Sequence, residues 1–203
     1  MNGNIAIGLM GGSFDPIHLG HIEIAGQAKD AMGLDQVWFI PTGRPPHKAH
    51  LGASAAQRLE MTRLAVQDIE WARECDIEVF REGTIYTVDT LGMLTQQYPH
   101  AKFYYIIGAD TLVDLPNWRN TQKVCTLCDF ICLKRPGIDE ETLERAMLRM
   151  QTDYDKYVYL INANGPDLSS TEIRRSILAG KSTQHMLSEA VRTYIDRENL
   201  YRS

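Results

Sequence analysis

Short apolar runs alternate with longer amphipathic segments along most of this chain, and that alternation limits its fold more than any other feature. Runs at residues 4–9, 36–40, 75–79, 102–107, 129–133 and 157–161 read as buried strands. Between them, residues 19–32, 55–69, 88–97 and 140–150 carry apolar side chains at helical spacing, for example Leu59, Leu64 and Ile69. Strands separated by helices make βαβ units, so the expected fold is α/β, a doubly wound, Rossmann-like parallel sheet with helices on both faces. Beyond Ile161 the pattern changes to a turn at 162–166 and two short helical segments at 170–179 and 186–198. In the last segment Met186, Val191, Tyr194 and Ile195 fall on one side, which predicts a docked helix. Ser54 is the expected N-cap of the second helix, while Pro99 and Pro136-Gly137 are expected stops.

With 203 residues, the chain suits one domain, read as an α/β core over 1–165 and a small helical appendage over 166–203. Lys and Arg number 21 against 26 Asp and Glu, giving a net charge of −5. Such a surface repels nucleic acid and anionic membranes, so an anionic ligand needs a local concentration of donors. The first four residues carry no basic stretch, and the apolar run 5–10 is too short for a signal-peptide core or a bilayer span. A cytoplasmic chain is expected. Three of the four cysteines, Cys125, Cys128 and Cys132, crowd together without a second ligand cluster. Packed, reduced thiols are the expectation, with a zinc or redox pair at Cys125 and Cys128 as the alternative.

The loop after the first strand runs Gly11-Gly12-Ser13-Phe14-Asp15-Pro16-Ile17-His18-Leu19-Gly20-His21 and leads into a helix. Paired glycines admit close backbone approach, and a following helix start offers unpaired N–H groups, a combination suited to phosphate. Neither a Walker A loop nor G-x-G-x-x-G is present. Residues three apart in a first helical turn share a side, so His18 and His21 can face one ligand. Solvated or capping histidines, or a metal site lacking a third ligand, are the other readings.

These residues, with Leu168-Ser169-Ser170-Thr171-Glu172-Ile173-Arg174 near the C-terminus, resemble the two signatures of the HxGH nucleotidyltransferase superfamily. Within it the chain resembles the bacterial nicotinate mononucleotide adenylyltransferases more than the phosphopantetheine enzymes, which usually have Thr in place of His18. Further segments extend the likeness: Pro41-Thr42-Gly43-Arg44-Pro45-Pro46-His47-Lys48, Tyr86-Thr87-Val88-Asp89-Thr90-Leu91, Gly108-Ala109-Asp110-Thr111 and Pro116-Asn117-Trp118. The resemblance is nearly full length. It implies adenylyl transfer from ATP to nicotinate mononucleotide, with magnesium carried by the ATP phosphates and no metal ligand supplied by the protein.

By that resemblance His18, His21, Lys48 and Arg174 are the catalytic set. Gly11, Gly12, Ser13, Phe14, His18, His21, Gly108, Asp110, Ser170, Thr171 and Arg174 would bind ATP. Ser13, Phe14, Lys48, Thr87 and Trp118 would bind the mononucleotide.

Each position also has its own chemical reason. Pro45-Pro46 stiffens a loop presenting Lys48, an ammonium suited to phosphate. Thr87 sits at an expected helix start, suited to a carboxylate or to simple capping. Trp118 is a large indole in a loop, placed to pack on something flat. Gly108 and Asp110 follow the fourth strand, where close backbone approach and an acceptor for ribose hydroxyls are expected, although Asp110 could merely cap a helix over 111–115. Ser170 and Thr171 can cap a helix facing the triphosphate, and Arg174 offers a fork of donors, while Arg175 should point elsewhere. Relatives commonly have an aromatic residue immediately after this tryptophan, whereas this chain has Arg119. Nicotinamide mononucleotide as acceptor, or a nucleotide-binding module without turnover, are the competing functions; small-molecule substrates are the expected partners, and a homo-oligomer stays open.

Overall fold

In a computed structural model, residues 5–43, 51–134, 138–166 and 168–202 are described. Six strands form one parallel sheet: β1 (Ile5–Gly12), β2 (Gln36–Pro41), β3 (Ala72–Glu74), β4 (Ala101–Gly108), β5 (Asp129–Lys134) and β6 (Val158–Asn162). Their order is β3-β2-β1-β4-β5-β6, so the direction of winding reverses between β1 and β4. Right-handed crossovers on either side of such a reversal place helices on opposite faces, as the βαβ pattern predicts. Ile5 to Leu9 pair in register with Ala101 to Tyr105, and Tyr104 to Gly108 pair with Asp129 to Leu133.

The helices among the described residues are α1 (Leu19–Met32), α2 (Ala55–Val66), α3 (Thr87–Gln97), α4 (Ala109–Asp114), α5 (Thr121–Leu127), α6 (Glu140–Tyr154), α7 (Ser170–Leu178) and α8 (Glu189–Arg197). A single 3-10 turn spans Leu115–Asn117. Ser54 caps α2 through a full capping box with Gln57. The Pro136-Gly137 stop lies outside the described residues.

Several boundaries differ from the sequence reading. The third strand is Ala72–Glu74, not 75–79. Cys75 still donates its N–H to Phe39, at 2.8 Å, but the chain then turns, with Val79 N–H bonded to the Asp76 carbonyl. Apolar Ile77 and Val79 imitated a strand there. The helix considered over 111–115 is α4 and begins two residues earlier, at Ala109, while α5 has no counterpart in the sequence reading because seven residues are too few to show a period. α2 ends at Val66 and not at 69; its deeply buried line is Arg58, Met61, Thr62 and Val66, whereas Leu59 and Leu64 on the helix and Ile69 beyond it are half-buried. A reading that scored only apolar side chains could not find a core line that begins with arginine. α8 starts at Glu189 behind an N-cap at Ser188, so Met186 precedes it.

Two compact units divide the described residues. The first comprises 5–10, 25–37, 86–134 and 138–164, and its core includes Ile7, Leu9, Leu94, Phe103, Leu112, Leu115, Phe130 and Ile131, all buried. Its thiols Cys125, Cys128 and Cys132 are buried in that core as free cysteines, and Cys132 is pushed up to about 11 by burial. They are packed thiols, protonated at neutral pH. The second unit comprises 11–24, 38–43, 51–85, 165–166 and 168–202, around Phe14, Ile17, Phe39, Met61, Ile173, Leu187, Val191 and Ile195. Each fully buried Leu, Ile or Phe contributes roughly 1.5–3 kcal/mol by leaving water. No helix among the described residues is long and apolar enough to cross a membrane.

Candidate active site

In the second unit the loop that leaves β1 carries a tight pair of imidazoles. His18 immediately precedes α1 and His21 lies on its first turn, and their rings stack with centroids 3.6 Å apart. The backbone N–H of His18 donates to His21 Nδ1 at 3.2 Å, while His21 N–H donates to the His18 carbonyl at 2.9 Å. A Nδ1 that accepts leaves the ring proton on Nε2, which makes that nitrogen a hydrogen-bond donor. Gly20 leaves room for the arrangement, because a Cβ there would stand a tight 3.1 Å from His18 Nδ1 and the ring would have to give way slightly. Phe14 backs the pair. Its ring is buried edge-on to His21 at 5.1 Å and 6.0 Å from Phe39, and its backbone occupies the left-handed region at φ 45°. Such a conformation in a non-glycine residue persists only where packing dictates it.

The turn between glycines and histidines is fixed by Asp15, 1% exposed. Its carboxyl group accepts from the N–H groups of Gly52 (2.8 Å) and Ala53 (3.0 Å) and from the Tyr201 hydroxyl (2.8 Å). Its backbone carbonyl accepts from Arg174 Nη1 at 2.7 Å. Burial together with this carboxyl group pushes the Tyr201 phenol well above its ordinary value, so it stays a donor. Arg58, fully buried, donates to the carbonyls of Ser13, Thr42 and Gly43. Burial lowers the affinity of Arg58 for its proton, and the carboxylate charges of Asp15 and Glu78 oppose that.

α7 completes this constellation. Ser169, not Ser170, is its N-cap, accepting from Glu172 N–H. Ser170 instead donates its hydroxyl to the Pro16 carbonyl at 2.9 Å, tying the helix start to the histidine loop. Arg174 Nη2 reaches the Thr171 hydroxyl at 3.3 Å, and Arg175 is exposed. Gly11 and Gly12 are the last residues of β1 and not part of the loop, which begins at Ser13; Gly11 is exposed, and Gly12 and Ser13 are half-buried. Lys48 lies outside the described residues.

The remaining expected positions belong to the first unit. Gly108 is the N-cap of α4 and Asp110 is on its first turn, so Asp110 is not the cap. A Cβ on Gly108 would meet Asp110 Oδ1 at 2.6 Å, so the carboxyl group folds back over the glycine, exposed. Thr87 is the first residue of α3, behind Tyr86 as N-cap, whose N–H donates to Asp89 at 3.3 Å. Trp118 ends the 3-10 turn half-buried, edge-on to Tyr105 of β4 with centroids 5.9 Å apart. Among the described residues no group of three His, Cys, Asp or Glu side chains is placed to hold a metal ion.

Residues 9–176 match the model of the cytidylyltransferase-like family. A protein of Desulfitobacterium hafniense named "Probable nicotinate-nucleotide adenylyltransferase" is 40% identical over 197 residues, covering 97% of this chain and 95% of its own. One of the same name from Shewanella frigidimarina is 39% identical, covering 97% of this chain and 99% of its own. The chain belongs to the nicotinate-nucleotide adenylyltransferase family. Among solved structures, the Plasmodium falciparum nicotinic acid mononucleotide adenylyltransferase complexed with NaAD superposes with a TM-score of 0.76 at 24% identity, covering 97% of both chains. That likeness supports the fold of this adenylyltransferase family member.

Three side chains of this adenylyltransferase family member that sequence reasoning did not assign a role are Arg58, Tyr201 and Tyr86. Arg58 had a readable signal, a cation in phase with the buried side of α2. Tyr201 had none, since its partner Asp15 lies 186 residues away along the chain.

Proposed function

We propose that this chain transfers the adenylyl group of ATP to nicotinate mononucleotide, releasing pyrophosphate and forming the nicotinate adenine dinucleotide, a step of pyridine-dinucleotide synthesis. A 5′-phosphate oxygen of the mononucleotide forms a bond to the α-phosphorus. In line with it, the bond from that phosphorus to the bridging oxygen breaks, and pyrophosphate leaves with the electron pair. The nucleophile is already anionic, so no general base and no covalent enzyme intermediate are needed. Catalysis is then positioning and charge stabilisation.

The observation that carries this reading is the stacked His18–His21 pair with Nε2 of His21 held as a donor. In this reading both imidazoles stabilise charge on the α-phosphate. Arg174 and Lys48 hold the flanking phosphates, assisted by Ser170, Thr171 and the backbone of Gly11, Gly12, Ser13 and Phe14. Because its ring is turned inward, Phe14 serves through its backbone and as the wall behind His21. Gly108 and Asp110 take the ribose of ATP. Ser13, Phe14 and Lys48 hold the mononucleotide phosphate, with Thr87 and Trp118 at its nicotinate ring. Magnesium enters with ATP, its shell made of phosphate oxygens and water. The chain acts as one cytoplasmic domain, in which residues 166–203 complete the ATP site around a 1–165 core.

Pyrophosphate release with magnesium and ATP, run in parallel with nicotinate mononucleotide, nicotinamide mononucleotide and phosphopantetheine, tests the reading. Turnover with the first, and little with the others, is expected. Turnover with phosphopantetheine alone would overturn the acceptor, and nucleotide binding without turnover would overturn the enzyme.

A further inference from the structure

We propose that Arg119 selects the carboxylate of the acceptor's pyridine ring over the carboxamide of its neutral analogue. The inference rests on the acceptor assignment above and adds to it a specificity residue. Arg119 follows Trp118, and its guanidinium carbon lies 4.5 Å from the centroid of the Tyr86 ring. Tyr86 is the residue before Thr87, so the cation stands beside the start of α3 as well as next to Trp118.

This is not a freely swinging surface arginine. The Thr121 hydroxyl donates to the carbonyls of Leu115 (3.0 Å) and Trp118 (2.9 Å), clamping the turn on both sides of Pro116 and Asn117. Asn120 then takes the left-handed conformation at φ 55° and opens α5. The backbone of Arg119 is therefore held between two fixed points, and the side chain is laid on the phenol ring by cation–π attraction.

Its charge is left for a ligand. Among the described residues no carboxylate lies within ion-pair distance of Arg119, although the side chain is exposed. The nearby acids are engaged by their own turns: Asp89 accepts the Tyr86 N–H, and Asp114 accepts from the Asn117 side chain at 2.9 Å. A guanidinium whose central carbon stands over a ring has N–H groups left for a second partner, and those match a planar carboxylate with two parallel hydrogen bonds. A carboxamide supplies one oxygen and, beside it, an NH2 group whose hydrogens oppose the donors of Arg119. It loses the charge attraction and one hydrogen bond together. A site built to pair a polar group rejects an isostere that cannot pair.

The test measures kcat and KM for nicotinate mononucleotide, nicotinamide mononucleotide and ATP in the wild type, Arg119→Ala and Arg119→Lys, with calorimetric binding of both mononucleotides alongside. In Arg119→Ala, binding and kcat/KM for the acid should fall about 10- to 100-fold, the range for losing a hydrogen-bonded charge. The amide values and the KM for ATP should hold. Arg119→Lys should recover part of the loss, because it keeps the charge without the fork. An acid-to-amide ratio unchanged in Arg119→Ala, or an equal loss for both acceptors, overturns the inference while the proposed reaction stands. A wild type that neither binds nor turns over either mononucleotide overturns the proposed reaction and this inference with it.

Discussion

The two sets of site residues are held in different ways. Around the histidine loop, the chain is tied by buried and part-buried hydrogen bonds that join distant segments, from Asp15 to Gly52, Ala53, Arg174 and Tyr201. Around Thr87 and Trp118 the side chains are half-buried to exposed and positioned by ring contacts, Tyr105 against Trp118 and Tyr86 under Arg119. In the proposed mechanism the first set meets charge that develops during reaction, where any reorganisation of donors would add to the barrier. The second set recognises a preformed ring, and stacking gives it area and orientation without burying polar groups. Rigid hydrogen bonding and adaptable stacking thus serve different demands.

Removing Asp15 attacks the rigid set directly. Asp15→Ala strands two backbone N–H groups and the Tyr201 hydroxyl in a buried site and removes the carboxyl charge opposite Arg58. A loss of about 3–5 kcal/mol in stability is expected, the range for breaking a buried charged network. Chemical denaturation would measure it, and a loss under 1 kcal/mol would mean that the network does not hold the loop.

His21→Ala leaves that network in place and removes one donor, so its effect should fall on rate. At least ~100-fold in kcat is expected, about 2.7 kcal/mol of barrier, with thermal stability little changed. Near-normal kcat at saturating substrate would remove His21 from the proposed chemistry.

On the stacked side, Trp118→Ala should raise the KM for the mononucleotide roughly 10-fold, of the size of a lost ring contact. Here kcat at saturation should change less than in His21→Ala. If kcat collapsed instead, the division between the two sets would be wrong.

The smallest expected effect lies away from both sets. Asp129 is partly buried, which raises its pKa, but hydrogen bonds from Lys156 (2.6 Å) and Lys102 (2.9 Å) outweigh that and hold it below the ordinary value. A depressed folded-state pKa contributes stability above the unfolded value near 4, and that contribution is lost as pH falls through the folded one. Asp129→Asn should therefore flatten the decline in stability below about pH 4 by under 1 kcal/mol, since Lys102 is half exposed to solvent. An unchanged acid-denaturation curve would show the lysine pair to be silent.

How much was legible in the sequence depended on the distance over which each feature is determined. The βαβ alternation, the bounds of α1 at 19–32 and the Ser54 cap follow from local period and local chemistry, and they stand in the structure. His18 and His21 could be paired in advance by their three-residue spacing, although His18 stands just before α1 and not within its first turn; their rings stack at 3.6 Å. The cysteines could be read as packed thiols because no partner cluster accompanied them. By contrast, the edge strand at Ala72–Glu74 and the short α5 carry too few residues for a pattern to emerge.

Tertiary structure alone decided which partners the internal polar groups found. Nothing local marks Asp15 as the acceptor for Tyr201, or Arg58 as the donor to the carbonyls of Ser13, Thr42 and Gly43. Nor does sequence spacing lay Arg119 on Tyr86, 33 positions earlier. Local backbone preference and apolar period are written into neighbouring residues, so the sequence by itself determined the α/β layout and the histidine turn. The pairing of buried charges and the stacking of distant rings depend on which surfaces the folded chain brings together, and only the fold supplies that.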